Sequence, residues 1–230
     1  MNPTEFSSFL DSISKQPLHV LDASIPLNTY THLDLSVHNT ELNRIDVSVS
    51  SALEAYIQNY IKNKQALVGF GGYNEMRNIY QRSTHFKHQN SDNERNIHLG
   101  IDLWLAANSS VLTPLDAEIH SFKNNTNYGD YGPTIILKHR IDTVEFYTLY
   151  GHLSLASIEN LQVGQKFKQG QQIATLGDAS VNGDYPPHLH FQIIKDIADY
   201  KGDYPGVCSM QSLAFYLSNC PDPNLLLKID

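Results

Sequence analysis

Pro186-Pro187-His188-Leu189-His190-Phe191-Gln192-Ile193-Ile194 reads as a β-strand, because Phe191, Ile193 and Ile194 suit a pleated, half-buried surface. Side chains alternate along a strand, so His188 and His190 project to one face. Two imidazoles side by side share a metal ion, or divide metal ligation and proton transfer between them. Two partly buried strand histidines without a function give the same pattern, so this strand needs a partner elsewhere in the chain.

A second cluster supplies one: Asn96-Ile97-His98-Leu99-Gly100-Ile101-Asp102. Hydrolytic zinc sites commonly use three protein ligands and leave the fourth position to water. His98, Asp102 and His190 offer two neutral nitrogens and one carboxylate, which leaves a bound Zn2+ one net positive charge and strong polarising power. Taken apart, Asp102 is equally a helix cap and His98 a surface residue; taken with His190 they form a ligand set. A third piece is Tyr150-Gly151-His152-Leu153-Ser154, which ends the apolar run 144–150, read as a central strand. Gly151 permits a sharp turn or a close approach. A histidine presented there suits a proton shuttle or a donor to a developing oxyanion, or is simply a strand-end residue.

These three segments together resemble the signatures of the lysostaphin/LytM-type zinc endopeptidases. The connecting sequence is similar as well: Val111-Leu112-Thr113-Pro114, Gly132-Pro133-Thr134-Ile135-Ile136, and the hairpin-like Val163-Gly164 to Gly170-Gln171-Gln172-Ile173. The likeness runs from about residue 95 to 195. It implies a mainly β fold: a two-layer antiparallel β-sandwich with a groove over one sheet and zinc at its floor. It also implies that His98, Asp102 and His190 bind the metal. His152 and His188 would be the catalytic pair that activates water and stabilises the intermediate. The segment 178–186 departs from the family's small loop, and Ala117 stands where a glycine is common. Some relatives are held latent by an upstream residue on the metal, a role for which Asn74 is the candidate here. The tail with Gly206-Val207-Cys208 resembles lysostaphin-type domains that some bacteria place between kinase-like and aminotransferase-like domains, which favours a non-wall substrate.

Composition bounds the partners. The 230-residue chain carries a net charge of −8 with 41% hydrophobic residues. An acidic balance argues against nucleic acid and anionic membranes as partners, and equally withholds the basic surface that suits adhesion to acidic wall polymers. The start of the chain lacks a basic segment followed by an apolar core, and no run is apolar enough to span a bilayer. The expected setting is cytoplasmic as displayed, or periplasmic or extracellular if a leader was removed. Cys208 and Cys220 read as free, partly buried thiols, with a disulfide between them left open.

The expected organisation is an N-terminal extension with an amphipathic helix over 1–84, a β core over 85–195 and a tail with a short helix over 196–230. Phe6, Phe9, Leu10 and Ile13 predict a helix over 4–13 capped by Thr4. Residues 31–37 alternate as a strand. Ser51 to Glu54 reads as a capping box opening a helix with Leu53, Tyr56, Ile57, Tyr60 and Ile61 on its apolar face. The glycines of 67–84 suggest a flexible-to-ordered lead-in, with Glu75 and Arg77 on the surface or, as the alternative, lining the groove. Residues 85–95 read as a loop with solvated His85 and His88, 124–131 as a loop walling the groove, and His120 and His139 as structural. The functional expectation is zinc-dependent hydrolysis of amide bonds in a peptide or a peptidoglycan cross-link, with oligomeric state open. The alternatives are a zinc hydrolase acting on a cytosolic peptide or small molecule, and a non-catalytic binding module. Degenerate members of such a family lack ligands, whereas all five positions are present here.

Overall fold

The computed structural model describes residues 1–83 and 94–229. In chain order the strands are β1 (Tyr30–His32), β2 (Val68–Gly71), β3 (Glu75–Met76), β4 (Ile97–His98), β5 (Ile101–Trp104), β6 (Ser110–Leu112), β7 (Ala117–Asn125), β8 (Gly132–Ile141), β9 (Val144–Gly151), β10 (Lys166–Phe167), β11 (Gln172–Thr175), β12 (His188–Ile194) and β13 (Val207–Cys208). Among the described residues an open eight-stranded sheet runs β1-β2-β5-β12-β9-β8-β7-β10, antiparallel except for the β1–β2 pair. The two-stranded β6/β11 sheet covers part of one face, and β13-β4-β3 forms a third, small sheet. The fold is therefore mainly β and layered, without a closed barrel.

Period-two alternation sorts every central strand onto two faces. Leu189, Phe191 and Ile193 of β12, Ile101 and Leu103 of β5, and Phe146 and Tyr150 of β9 enter the main core with Val111, Ile173 and Ala174 of the small layer. His188, His190 and Asp102 are left on the other face, where the site is built.

The N-terminal helix α1 (Pro3–Ile13) closes the core face by burying Phe6 and Leu10, with Phe6 meeting Phe146 edge-on at 6.0 Å. Its cap is Asn2, not Thr4. Asn2 Oδ1 accepts from the Glu5 amide, and the Glu5 carboxylate accepts from the Asn2 amide. The second helix α2 (Ser50–Asn63) follows Val49 and makes no side-chain cap, so the expected box at Ser51 and Glu54 does not form. Its predicted apolar face does pack, with Leu53 and Ile57 buried beside Leu33, Leu35 and Trp104.

One upstream reading is corrected. Strand pairing stops at His32, because Asp34 Oδ1 accepts from the Ser36 amide at 2.8 Å and bends the chain, although Leu33 and Leu35 remain buried. Within the glycine-rich lead-in, β2 lies inside the sheet, with Gly69 opposite Trp104 and Gly71 opposite Asp102. Residues 85–93 of the expected loop, His85 and His88 among them, lie outside the described residues. In the tail, a short helix α3 (Leu213–Asn219) matches the expected helix, and α4 (Asn224–Leu227) follows it. No helix among the described residues is long and apolar enough to cross a membrane.

His139 is structural, as expected, and completely buried in β8. Its Nδ1–H donates to the Asp116 carbonyl at 3.0 Å, and the Thr148 hydroxyl lies 2.7 Å from Nε2. Burial pushes its pKa down to about 4. The unfolded chain therefore binds a proton that the folded chain refuses between about pH 6.5 and 4, and stability is lost as pH falls through that window. The loss is on the order of 3 kcal/mol over the whole window. His139→Gln is expected to flatten this part of the pH dependence of urea unfolding, measured on the metal-free protein from pH 7 to 4.5; a slope identical to wild type would count against it.

Candidate metal centre

Neighbouring strands bring two of the candidate ligands together directly. β5 and β12 pair antiparallel with Asp102 opposite His190, so both side chains leave the sheet on one face. His98 arrives from another sheet, because the chain steps from β4 to β5 across Leu99 and Gly100. That step needs glycine: a Cβ on Gly100 would sit 2.7 Å from the His190 ring and from the Phe191 carbonyl oxygen. His98 Nε2 lies 2.8 Å from His190 Nδ1 and 3.3 Å from Asp102 Oδ1, and His190 Nδ1 lies 3.2 Å from the same oxygen. All three residues are buried.

The hydrogen bonds on the far side of each ring assign the protons. His98 Nδ1–H donates to the Gly72 carbonyl at 2.9 Å, which leaves Nε2 bare. Gln192 donates through Nε2 to the Pro205 carbonyl at 3.1 Å, so its Oε1 is the atom that accepts His190 Nε2–H at 2.9 Å. His190 Nδ1 is bare in turn. Two nitrogen lone pairs and a carboxylate oxygen thus converge with no proton between them, an arrangement that repels itself unless a cation sits among them. Tetrahedral zinc with bonds of about 2.0–2.1 Å wants donors roughly 3.3 Å apart, so spacing and donor set both fit. Burial alone would raise the Asp102 pKa, but His98, the Arg77 guanidinium and His188 overcome it and hold the carboxyl well below the usual range. Burial likewise lowers the His98 pKa, against the pull of Asp102, so the ring is neutral, as a ligand must be.

His152 and His188 stand beside this cluster. Their rings are 4.2 Å apart, and His188 Nε2 is 3.8 Å from Asp102 Oδ1. His188 Nδ1–H donates to the Pro186 carbonyl, and Trp104 stacks on the ring at 4.1 Å. His152 sits just past β9 in the left-handed region at φ 61, a conformation that costs a non-glycine residue roughly 1–2 kcal/mol. It is held there by its amide on the Tyr131 carbonyl, its carbonyl on the Gly177 amide, and its Nδ1–H on the Asn182 carbonyl at 2.7 Å. Burial pushes His188 down to about 4 and His152 well below its ordinary value, so both present a bare Nε2 at neutral pH. The five predicted site residues all line one cavity of about 230 Å³, walled by Trp104, Tyr131 and Tyr185 of the β core and by Tyr80 and Tyr204 of the flanks.

Residues 96–202 match the model of Peptidase family M23. The match spans a little under half of the chain. Solved structures similar to it include the catalytic domain of the antimicrobial peptidase lysostaphin from Staphylococcus simulans, at 26% identity over 54% of this chain and 81% of that one, TM-score 0.37. A zinc-containing peptidase from Vibrio cholerae matches at 25% identity over 47% of this chain and 30% of that one, TM-score 0.34. The catalytic domain of a prophage-encoded M23 protein from Enterococcus faecalis, crystallised as a point mutant, matches at 19% identity over 48% of this chain and 80% of that one, TM-score 0.37. No curated protein matches the chain.

The site relies on residues that sequence reasoning passed over. Gln192 had a legible signal, since it lies two positions beyond His190 on the same strand face. The carbonyls of Gly72 and Asn182 had none. Arg77 and Glu75, read as surface residues, are buried and half-buried, with Arg77 Nη1 donating to Asp102 Oδ2 at 2.6 Å. Asn74 does not line the cavity: its side chain is exposed, and its amide pairs with the His98 carbonyl at 2.9 Å. The 178–186 loop reaches the site through the Asn182 carbonyl on His152 and through Tyr185 in the cavity wall. Cys208 and Cys220 are free and buried, and Gln192 donates to Cys220 Sγ at 3.2 Å. Replacing Gln192 with Leu strips His190 Nε2–H of its acceptor and frees the ring to turn. Zinc affinity, measured by chelator competition, is expected to fall about 10–100-fold; unchanged affinity would remove Gln192 from the site.

Proposed function

We propose that the chain is a zinc-dependent peptidase that hydrolyses amide bonds, with peptides of the kind that cross-link peptidoglycan, or short free peptides, as its substrate class. The reading rests on one observation: the unprotonated convergence of His98 Nε2, Asp102 Oδ1 and His190 Nδ1 inside the stretch that matches the M23 family model. Bound there, zinc supplies a Lewis acid that polarises a scissile carbonyl and makes water a competent nucleophile near neutral pH.

The remaining work falls to the protein. His152 and His188 both carry the Nδ1–H tautomer, locked by backbone carbonyls, so Nε2 is the only ring atom free to take a proton. One of them receives the proton of the attacking water at Nε2 and passes it to the leaving amine. The other, equally proton-free at Nε2, accepts a hydrogen bond from that water and holds it for attack. The aromatic walls exclude bulk water, which strengthens each of these interactions. A glutamate base of the His-Glu-x-x-His kind is missing from the sequence, so the histidine pair must carry the proton traffic.

Elemental analysis of purified protein, followed by digestion assays on cell walls and on peptide libraries, tests the reading. His98→Ala, Asp102→Ala and His190→Ala are expected to lose bound zinc. His152→Ala and His188→Ala are expected to keep it while losing on the order of 10²–10⁴-fold in kcat. Stoichiometric zinc with cleavage of neither substrate would instead support a binding module on the same fold.

A further inference from the structure

We infer that residues 72–77, which lie outside the stretch matched to family M23, form a positioning clamp on two of the three metal ligands, with Arg77 as its key residue. The inference rests on the metal-site reading of His98, Asp102 and His190. The segment is tied to the His98 strand along its length: the Asn74 amide donates to the His98 carbonyl, the Arg77 amide donates to the Asn96 carbonyl, and Glu75 stands opposite His98 in the β3–β4 pair. From this frame the Gly72 carbonyl holds His98 Nδ1–H, and Arg77 Nη1 holds Asp102 Oδ2.

The consequence for Asp102 is geometric. With Oδ2 taken by a guanidinium at 2.6 Å, only Oδ1 remains to face His98 and His190, so the carboxylate is restricted to one donor atom. Charge cannot be the reason for Arg77, because a cation beside a cation site opposes binding. The Glu75 carboxylate accepts from Arg77 Nε, and from the Leu35 amide at 3.2 Å, so it cancels that charge and fixes the guanidinium in place. A neutral pair that still orients a ligand is what positioning requires.

Gly72 shows how tightly the block is built. Its φ is +105, and a Cβ there would lie 2.1 Å from Arg77 Nη2 and 2.9 Å from His98 Nδ1. Backbone, guanidinium and imidazole therefore meet at a point that admits no side chain.

The test uses the full chain with Arg77→Lys, which keeps the charge and loses the planar fork, and Glu75→Gln, which keeps the shape and frees the guanidinium. Zinc affinity is read by competition with a chromophoric chelator, coordination by the visible spectrum of the cobalt-loaded protein, and folding by the thermal midpoint of the metal-free form. R77K is expected to weaken zinc about ten-fold or more and to change the cobalt spectrum, and E75Q to do so by a smaller factor. If R77K fails to fold, E75Q carries the test. Wild-type affinity and spectrum in the folded variants would overturn the clamp while leaving the metal site intact. A wild-type protein that takes up no zinc would overturn the metal-site reading itself.

Discussion

Mutual repulsion among three converging acceptors is the constraint around which this molecule is arranged. Left alone, bare nitrogens at 2.8 Å and a carboxylate oxygen at 3.2–3.3 Å would push apart. They stay together because each donor is locked from behind: His98 by the Gly72 carbonyl, His190 by Gln192, and Asp102 by Arg77. The large sheet makes this possible by sending alternate residues to opposite faces. Every apolar residue of β12 that builds the core at positions 189, 191 and 193 leaves a polar partner at 188, 190 or 192 on the opposite face.

Burial sets the protonation states that the chemistry needs. Burial disfavours the charged forms of His98, His152 and His188, while His98 and the Arg77 guanidinium beside Asp102 hold its carboxyl below the usual range despite burial. His152 adds a backbone cost to this arrangement, since its left-handed conformation persists only under three hydrogen bonds from separate loops.

The site is not confined to the stretch that matches the M23 family model. Leu35, Arg77, Ile79 and Tyr80 before the matched stretch, and Tyr204 and Val207 after it, share its cavity. β1 and β2 extend the main sheet, and β13 pairs with the strand that carries His98. The flanks therefore shape the cavity into which His98, Asp102 and His190 open.

The strand character of 186–194, the shared face of His188 and His190, the packing face of α2 and the mainly β core were legible in the sequence, because each depends on a period of two or 3.6 within one segment. The resemblance carried by three short motifs pointed to His98, Asp102 and His190 as a candidate ligand set, and these three side chains do converge. Capping at α1 and the end of β1 were misread, since several polar residues compete for one cap or turn and only the folded chain selects among them. Tertiary structure alone decided the rest. Arg77 reads as a surface charge until β3 places it against Asp102, and the carbonyls of Gly72 and Asn182 carry no side-chain signature at all. Periodicity is a local property and is written in the residues; the approach of backbone atoms from distant segments is not, and it is that approach which orients the rings.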